Sequence, residues 1–222
     1  RLSLGDRADD KKYYKNDTAW DEGEAMLREV LKNRGGAFVE ATGEAAFYGP
    51  KIDIQMKDAR GKENTAFTVQ YDFCMPDRFN LTYIDKDGSE KRPVVVHRSS
   101  IGAIERVIAF LIEHYAGAFP TWLAPVQVVV LPVGGGHHEY GKSVVESLLQ
   151  AGLRAELDAS DESLGKRIRK AKMEKVPYLM VVGDKEIESQ TVSLEKRGDG
   201  PLGSQSVAEA IALITTEVTE KK

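Results

Sequence analysis

The sequence predicts an α+β unit built on an antiparallel sheet, followed by an α/β unit whose sheet is mixed and mostly parallel. Three observations carry that expectation. Between residues 52 and 97, short strand-like runs are separated by polar turns such as Asp58–Gly61 and Asp85–Asp87–Gly88, the pattern of antiparallel pairing. From Gln127 onward, apolar strands alternate with helix-length segments, the pattern of βαβ units. Between the two lies Phe119-Pro-Thr-Trp-Leu-Ala-Pro125, a proline- and aromatic-rich connection, so the units are expected at residues 1–121 and 122–222.

Taken in order, Asp17–Thr18 followed by Asp21 marks a helix start, and Gly35–Gly36 its end. Trp20, Leu27, Val30 and Leu31 share one face of that helix. Strands are expected at Ile52–Met56, Ala66–Phe73, Leu81–Ile84 and Pro93–His97. A second helix is expected from Gly102 to Gly117, with Ile104, Ile108, Leu111 and Ile112 as its buried stripe. In the second unit the strands are Gln127–Val133, Leu153–Leu157, Tyr178–Gly183 and Thr191–Glu195. The helices are His138–Ala151, Ser163–Lys175 and Val207–Val218.

Composition narrows the function classes. Apolar residues make up 41% and charged residues 30%, enough for a packed core. The longest apolar run, Ala124–Val133, is about half a membrane span and is broken by Pro125, Gln127 and Pro132. One cysteine, Cys74, forms no internal disulfide and no cysteine-rich zinc site, which points to a reducing, cytoplasmic setting. A net charge of −4 argues against binding nucleic acid through overall basicity and leaves local patches open. Arg1 in place of methionine, with no signal-peptide pattern after it, suggests a processed chain or a piece of a longer one.

Three segments invite a chemical reading. Gly134–Gly136 after a strand lacks the sixth-position glycine of a dinucleotide fingerprint, where Glu139 stands, and reads as a plain βα turn. The neighbouring His137 and His138 read as loop histidines, since adjacent residues rarely ligate one ion. Residues 166–175 carry six basic groups against one acid, which suits a solvated helix face and a phosphate-contacting helix equally. The third segment, Val94 to Arg106, is the most specific. His97 and Arg98 end a strand, Gly102 permits close approach, and Arg106 puts a cation near a helix N-terminus, where it is unfavourable. That placement suits an anionic or planar ligand above the strand end.

The pattern His97-Arg-x-x-x-Gly102-x-x-Glu105-Arg106 resembles motif 3 of the class II aminoacyl-tRNA synthetases, in the form used by the threonine-specific family. Glu44-Ala-Ala-Phe-Tyr48-Gly-Pro-Lys51, Thr68-Val-Gln70-Tyr-Asp72-Phe and Phe119-Pro-Thr-Trp-Leu-Ala-Pro are similar to the same family, and so is the strand Arg1-Leu-Ser-Leu. Val176-Pro-Tyr-Leu-Met-Val-Val-Gly-Asp-Lys-Glu186 resembles its anticodon-binding domain.

The resemblance implies a threonine–tRNA ligase that activates threonine with ATP and Mg²⁺ and transfers it to the terminal adenosine of tRNA(Thr). This chain would be its C-terminal part, with motifs 1 and 2 upstream and no adenylate formation by itself. By the same resemblance Arg106 and Thr68 bind ATP, Tyr48, Lys51 and Gln70 line the aminoacyl pocket, and Arg106 holds adenine and polyphosphate. His97 would ligate a Zn²⁺ ion whose other ligands lie upstream and which reads the substrate hydroxyl. Lys166, Arg167, Lys170, Lys175 and Glu186 would contact tRNA. The full-length enzyme would be a cytoplasmic homodimer with no membrane contact.

Departures from the family pattern are Ala103 in place of serine, Asn64–Thr65 in place of Trp-Gln, and Asp161 and Glu195 at positions that usually read the anticodon. A non-catalytic tRNA-binding paralogue is the alternative expectation.

Overall fold

Five strands form the first sheet of the computed structural model, which describes all of residues 1–222 and divides into the units Arg1–Phe110 and Leu111–Lys222. The first unit runs β1 (Leu2–Leu4), α1 (Asp17–Asn33), β2 (Glu40–Thr42), β3 (Lys51–Lys57), β4 (Glu63–Asp72) and α2 (Cys74–Arg78). It continues with β5 (Tyr83–Ile84), β6 (Glu90–Lys91), β7 (Val95–Arg98) and α3 (Ile104–His114), which runs into the second unit. Strand order is β2-β1-β3-β4-β7, with β1–β2 parallel and the other pairs antiparallel.

The pleat separates this sheet into two chemically different faces. Leu2, Leu4, Ile52, Val69 and Tyr71 point to one side and pack with Leu27 and Leu31 of α1. Gly23 of α1 allows that approach, because a Cβ there would sit 2.9 Å from the Tyr71 ring. Beside it, Trp20 is 1% exposed and packs edge-on against Tyr13 and Phe73, with its indole N–H donating to Tyr14 O at 2.8 Å. The N-cap of α1 is Asn16, whose side chain accepts from Ala19 N at 3.1 Å, so the helix is capped one residue before the expected Asp17.

Two expectations for this unit are corrected. The strand foreseen at Leu81–Ile84 is only Tyr83–Ile84, paired with β6 in a separate two-stranded hairpin. The helix foreseen from Gly102 is α3, and its apolar stripe is not buried: Ile104 is 60% exposed and Ile108 48%. The reason is local. Near its start the helix is tied to β4 by Arg106, which donates to Thr65 O, while no residue of α3 is buried.

The second unit runs β8 (Val128–Pro132), a 3₁₀ turn (Gly135–His137), α4 (His138–Gln150), β9 (Ala155–Leu157), α5 (Leu164–Met173) and β10 (Tyr178–Val182). It ends with α6 (Asp184–Ser189), β11 (Thr191–Lys196), β12 (Gly200–Ser206) and α7 (Val207–Thr219). The sheet order is β12-β11-β10-β8-β9, with β9, β8 and β10 parallel and β10, β11 and β12 antiparallel. The continuous apolar run of β8 follows from burial on both faces. Val128 and Val130 join Val144 and Leu148 of α4 and Ala210 and Ile214 of α7, whereas Val129 and Leu131 meet Ala171 of α5. Ser206 caps α7 in a reciprocal box with Glu209. No helix is long and apolar enough to cross a membrane.

Candidate functional site

The second face of the first sheet is polar. Lys51 on β3 lies opposite Gln70 on β4, which lies opposite His97 on β7, so the three form one row across the strands. Two residues along each strand the pleat returns to the same face, which adds Asp53, opposite Thr68, and Asp72. Tyr48, just before β3, donates its hydroxyl to Gln70 Oε1 at 2.7 Å and sets its ring 5.5 Å from the His97 imidazole. Burial pushes the Tyr48 hydroxyl pKa up, and the Asp72 carboxylate adds to it. His97 Nε2 is 2.7 Å from Asp72 Oδ2, and Asp72 is wholly buried, its Oδ1 accepting from Cys74 N and Met75 N, both at 2.9 Å.

Lys51 sits beside this cluster with its ammonium 2.6 Å from Asp53 Oδ2, an oxygen that also accepts from Ser3 Oγ at 2.6 Å. Asp53 is 2% exposed and its other oxygen, Oδ1, has no partner. A buried carboxylate oxygen without a partner is a spare acceptor beside this cluster. The arrangement therefore offers a fixed ammonium, a neutral amide and phenol, an imidazole and two carboxylates within one patch. That set can bind a zwitterionic or hydroxylated small molecule by complementary hydrogen bonds.

Arg106 reaches the sheet from α3. Its Nη1 donates to Thr65 O at 2.8 Å. The register of β3 against β4 shifts at Ile54/Gln55, so Ala66 is an extra residue in β4. The bulge turns this stretch toward α3. Gly102 has φ +72°, and a Cβ there would stand 2.2 Å from Ala66 O, which only glycine tolerates. Position 65, the second of the two departures from Trp-Gln, is a threonine here, and its carbonyl accepts from Arg106.

Of the residues expected at a site in this unit, the structure brings Tyr48, Lys51, Gln70 and His97 together, with Thr68 on the same face and Arg106 anchored to β4. Asp53, Asp72 and Ser3 complete the patch and were not singled out in the sequence. Their signal is the period of two, an acid two residues after Lys51 and another two after Gln70, in strands whose alternate positions are apolar. For zinc this chain offers one expected ligand, His97. His97 has only Asp72 beside it, Cys74 is buried, and no group of three His, Cys, Asp or Glu side chains converges anywhere.

In the second unit, Lys166, Arg169 and Lys170 on α5 line an open groove of about 720 Å³ with Glu162, Met173 and Glu174. Lys166 pairs with Glu162 at 2.6 Å on the surface. Arg167 is corrected: expected with its neighbours on an RNA-facing surface, it is 3% exposed and turned inward. Its guanidinium donates to Pro132 O and Asp158 O, both at 2.7 Å, and to Glu162 O at 3.1 Å. A helix presents adjacent residues about 100° apart, so one basic residue of such a run faces the core while its neighbours face water. Lys175 is exposed just beyond the helix, with φ +58° and its ammonium donating to Ala116 O. Glu186 is engaged internally, accepting from Gly183 N at 2.9 Å and Ser193 Oγ at 2.8 Å. Burial raises the Glu186 pKa, but those hydrogen bonds outweigh it and leave the carboxyl below its ordinary value.

Comparison with known proteins agrees with this geometry. A family model described as the tRNA synthetase class II core domain (G, H, P, S and T) matches residues 7–115, and one described as an anticodon binding domain matches residues 127–217. The threonine–tRNA ligase of Halalkalibacterium halodurans is 49% identical over 218 residues, 98% of this chain and 34% of that protein. That of Geobacillus kaustophilus is 48% identical over 223 residues, covering 100% of this chain and 34% of its own length. Among solved structures, the RNA binding domain of threonyl-tRNA synthetase from Cryptosporidium parvum Iowa II superposes with a TM-score of 0.85 at 34% identity, over 97% of this chain and 54% of that one. A putative threonyl-tRNA synthetase from Aeropyrum pernix gives 0.72 at 26% identity, over 99% and 54%. The chain spans about a third of the length of the curated relatives it matches.

Proposed function

Since the chain belongs to the class II tRNA synthetase core family over its first unit and to the anticodon-binding family over its second, we propose that it works as part of a threonine–tRNA ligase. The observation that supports this reading is the cross-strand row Lys51–Gln70–His97 with Tyr48 bonded to Gln70, the residues that the family pattern assigns to the aminoacyl pocket. Tyr48 and Gln70 bind the polar groups of threonine, and Lys51 faces the charge that grows when the carboxylate attacks the α-phosphate of ATP. Arg106 lies over the adenine, and Thr68 supplies a hydroxyl to the nucleotide. Mg²⁺ bound with ATP would offset the charge of its phosphates. His97 would supply one ligand of a zinc ion whose remaining ligands lie upstream of this chain and which would read the hydroxyl of threonine, and no step is routed through it.

Adenylate formation also draws on residues that the relatives carry in the other two-thirds of their length. The second unit binds tRNA(Thr) through Lys166, Lys170 and Lys175, with Glu186 as a further tRNA contact. A cytoplasmic location and a homodimeric parent enzyme belong to the same proposal.

The test is threonine-dependent ATP–pyrophosphate exchange, with this chain joined to the upstream two-thirds of a curated relative. Lys51→Ala is expected to lower kcat by about a hundredfold or more, as loss of one transition-state charge contact does. Exchange that is unchanged by Lys51→Ala overturns the reading. A tRNA-binding paralogue without catalysis would bind tRNA and show no exchange in that chimera.

A further inference from the structure

We propose that Arg197 is a positioning residue for RNA binding, one that locks Lys175 in place and ties it to the connector between residues 116 and 124. This rests on the reading above that Lys175 contacts RNA. Arg197 directly follows β11 and is half-buried. Its guanidinium is used entirely on main-chain carbonyls. Nη1 donates to Lys175 O, and Nη2 donates to Phe119 O and, at 3.3 Å, to Ala118 O. Its own N–H donates to Pro177 O at 2.8 Å, so the arginine is pinned from both ends.

Two features of Lys175 make such a lock consequential. Lys175 has φ +58°, the left-handed turn that ends α5, closed by Val176 N donating to Ala171 O at 3.1 Å. Its ammonium donates to Ala116 O, the first carbonyl of the connector. The rest of the connector is held by the same unit: Gln127 Nε2 donates to Thr121 O at 2.9 Å, and Arg154 donates to Trp122 O at 2.8 Å and Ala124 O at 2.9 Å. Lys175 and Arg197 thus form a bracket, with the connector on one side and the end of the basic helix on the other. Arg197 holds the carbonyl of Lys175, and the ammonium of the same lysine closes the bracket on Ala116 O. The planar fork of arginine spans three carbonyls, which a lysine at 197 could not do.

The experiment is a double-mutant cycle on the full chain, with an RNA stem-loop carrying a threonine anticodon as the probe and salt dependence as the readout. Lys175→Gln and Arg197→Gln are each expected to weaken binding about three- to tenfold and to lower the salt slope by about one. The double variant should be no weaker than either single one, because the two act as a unit. Arg197→Lys separates position from charge and guards against misfolding of the glutamine variant: it keeps the cation, and it is expected to bind as weakly as Arg197→Gln. In a Trp20→Phe background, Trp122 is the one remaining tryptophan, and its emission should shift in each Arg197 variant without RNA present. The proposal is overturned by additive losses in the double variant, by Arg197→Lys binding as wild type, or by an unmoved Trp122 emission. If Lys175→Gln alone leaves affinity and salt slope unchanged, the RNA role of Lys175 fails, and this inference with it.

Discussion

Replacing Arg167 with methionine separates a structural cation from an RNA-binding one. The side chain is 3% exposed and donates to three carbonyls at 2.7, 2.7 and 3.1 Å. Methionine fills most of the same volume but donates nothing, so the carbonyls of Pro132, Asp158 and Glu162 each lose a charged donor. Individual hydrogen bonds to charged groups are worth about 1.5–3 kcal/mol. The guanidinium also no longer has to be desolvated, so the sum overstates the loss, and leaving these carbonyls without a donor costs a net of about 3 kcal/mol. For a unit of about a hundred residues, a loss of about 3 kcal/mol lowers Tm by about 12–24 °C. Thermal unfolding followed by Trp122 fluorescence in a Trp20→Phe background measures this. At a temperature where the variant is still folded, RNA affinity and its salt slope should match those of the parent. A Tm within about 2 °C of the parent together with a flattened salt slope would refute the reasoning and return Arg167 to the RNA surface.

Other outcomes follow from the same geometry. Lys166→Ala and Lys170→Ala should each reduce the salt slope of RNA binding by about one without moving Tm, which filter binding at several salt concentrations checks. Gly102→Ala combines φ +72° with a 2.2 Å contact to Ala66 O and should destabilise the first unit by more than about 1 kcal/mol in urea unfolding. Burial raises the Glu217 pKa, but hydrogen bonds from Tyr178, Thr121 and Lys196 hold it below the ordinary value. Its stabilising contribution is therefore complete above about pH 4.5 and is lost as pH falls through the depressed folded value; Glu217→Gln should flatten that acid limb in a Tm-against-pH series. Tyr178 has the opposite sign, its pKa raised by burial and by Glu217. The unfolded chain ionises first above about pH 10, stability falls there, and Tyr178→Phe should remove that alkaline loss.

What was legible beforehand follows from where periodicity is strong. Gln127–Val133 and Tyr178–Gly183 are near-continuous apolar runs, and both become interior strands of the sheet. β12 was not legible: Gly200-Pro-Leu-Gly-Ser-Gln-Ser has no strand signature and becomes one only because β11 offers it a ladder. The stripe on α3 showed the opposite failure, since an apolar period of 3.6 says which side of a helix seeks cover and not whether this unit provides it. In the site, the residues carried by the family pattern were visible as motif members. Asp53 and Asp72 had no signal beyond alternation, and their meaning depends on strand register, which short local runs do not specify. Arg167 misled because a basic run hides which of its members faces inward. Arg197 was invisible because its partners are all backbone.

The edge strand β12 has one further consequence, for behaviour at high concentration. An open sheet edge is a template on which other chains can add strands, and this sheet has two. On β12, Pro201 carries no N–H, Gly200 and Gly203 sit at φ +82° and +87°, and a register shift at Leu194/Glu195 bends the pairing beneath them. That rim cannot present the even row of donors that an incoming strand needs. At the opposite rim β9 is only three residues long. The very irregularity that hid β12 from pattern reading guards a strongly apolar sheet against cross-β growth.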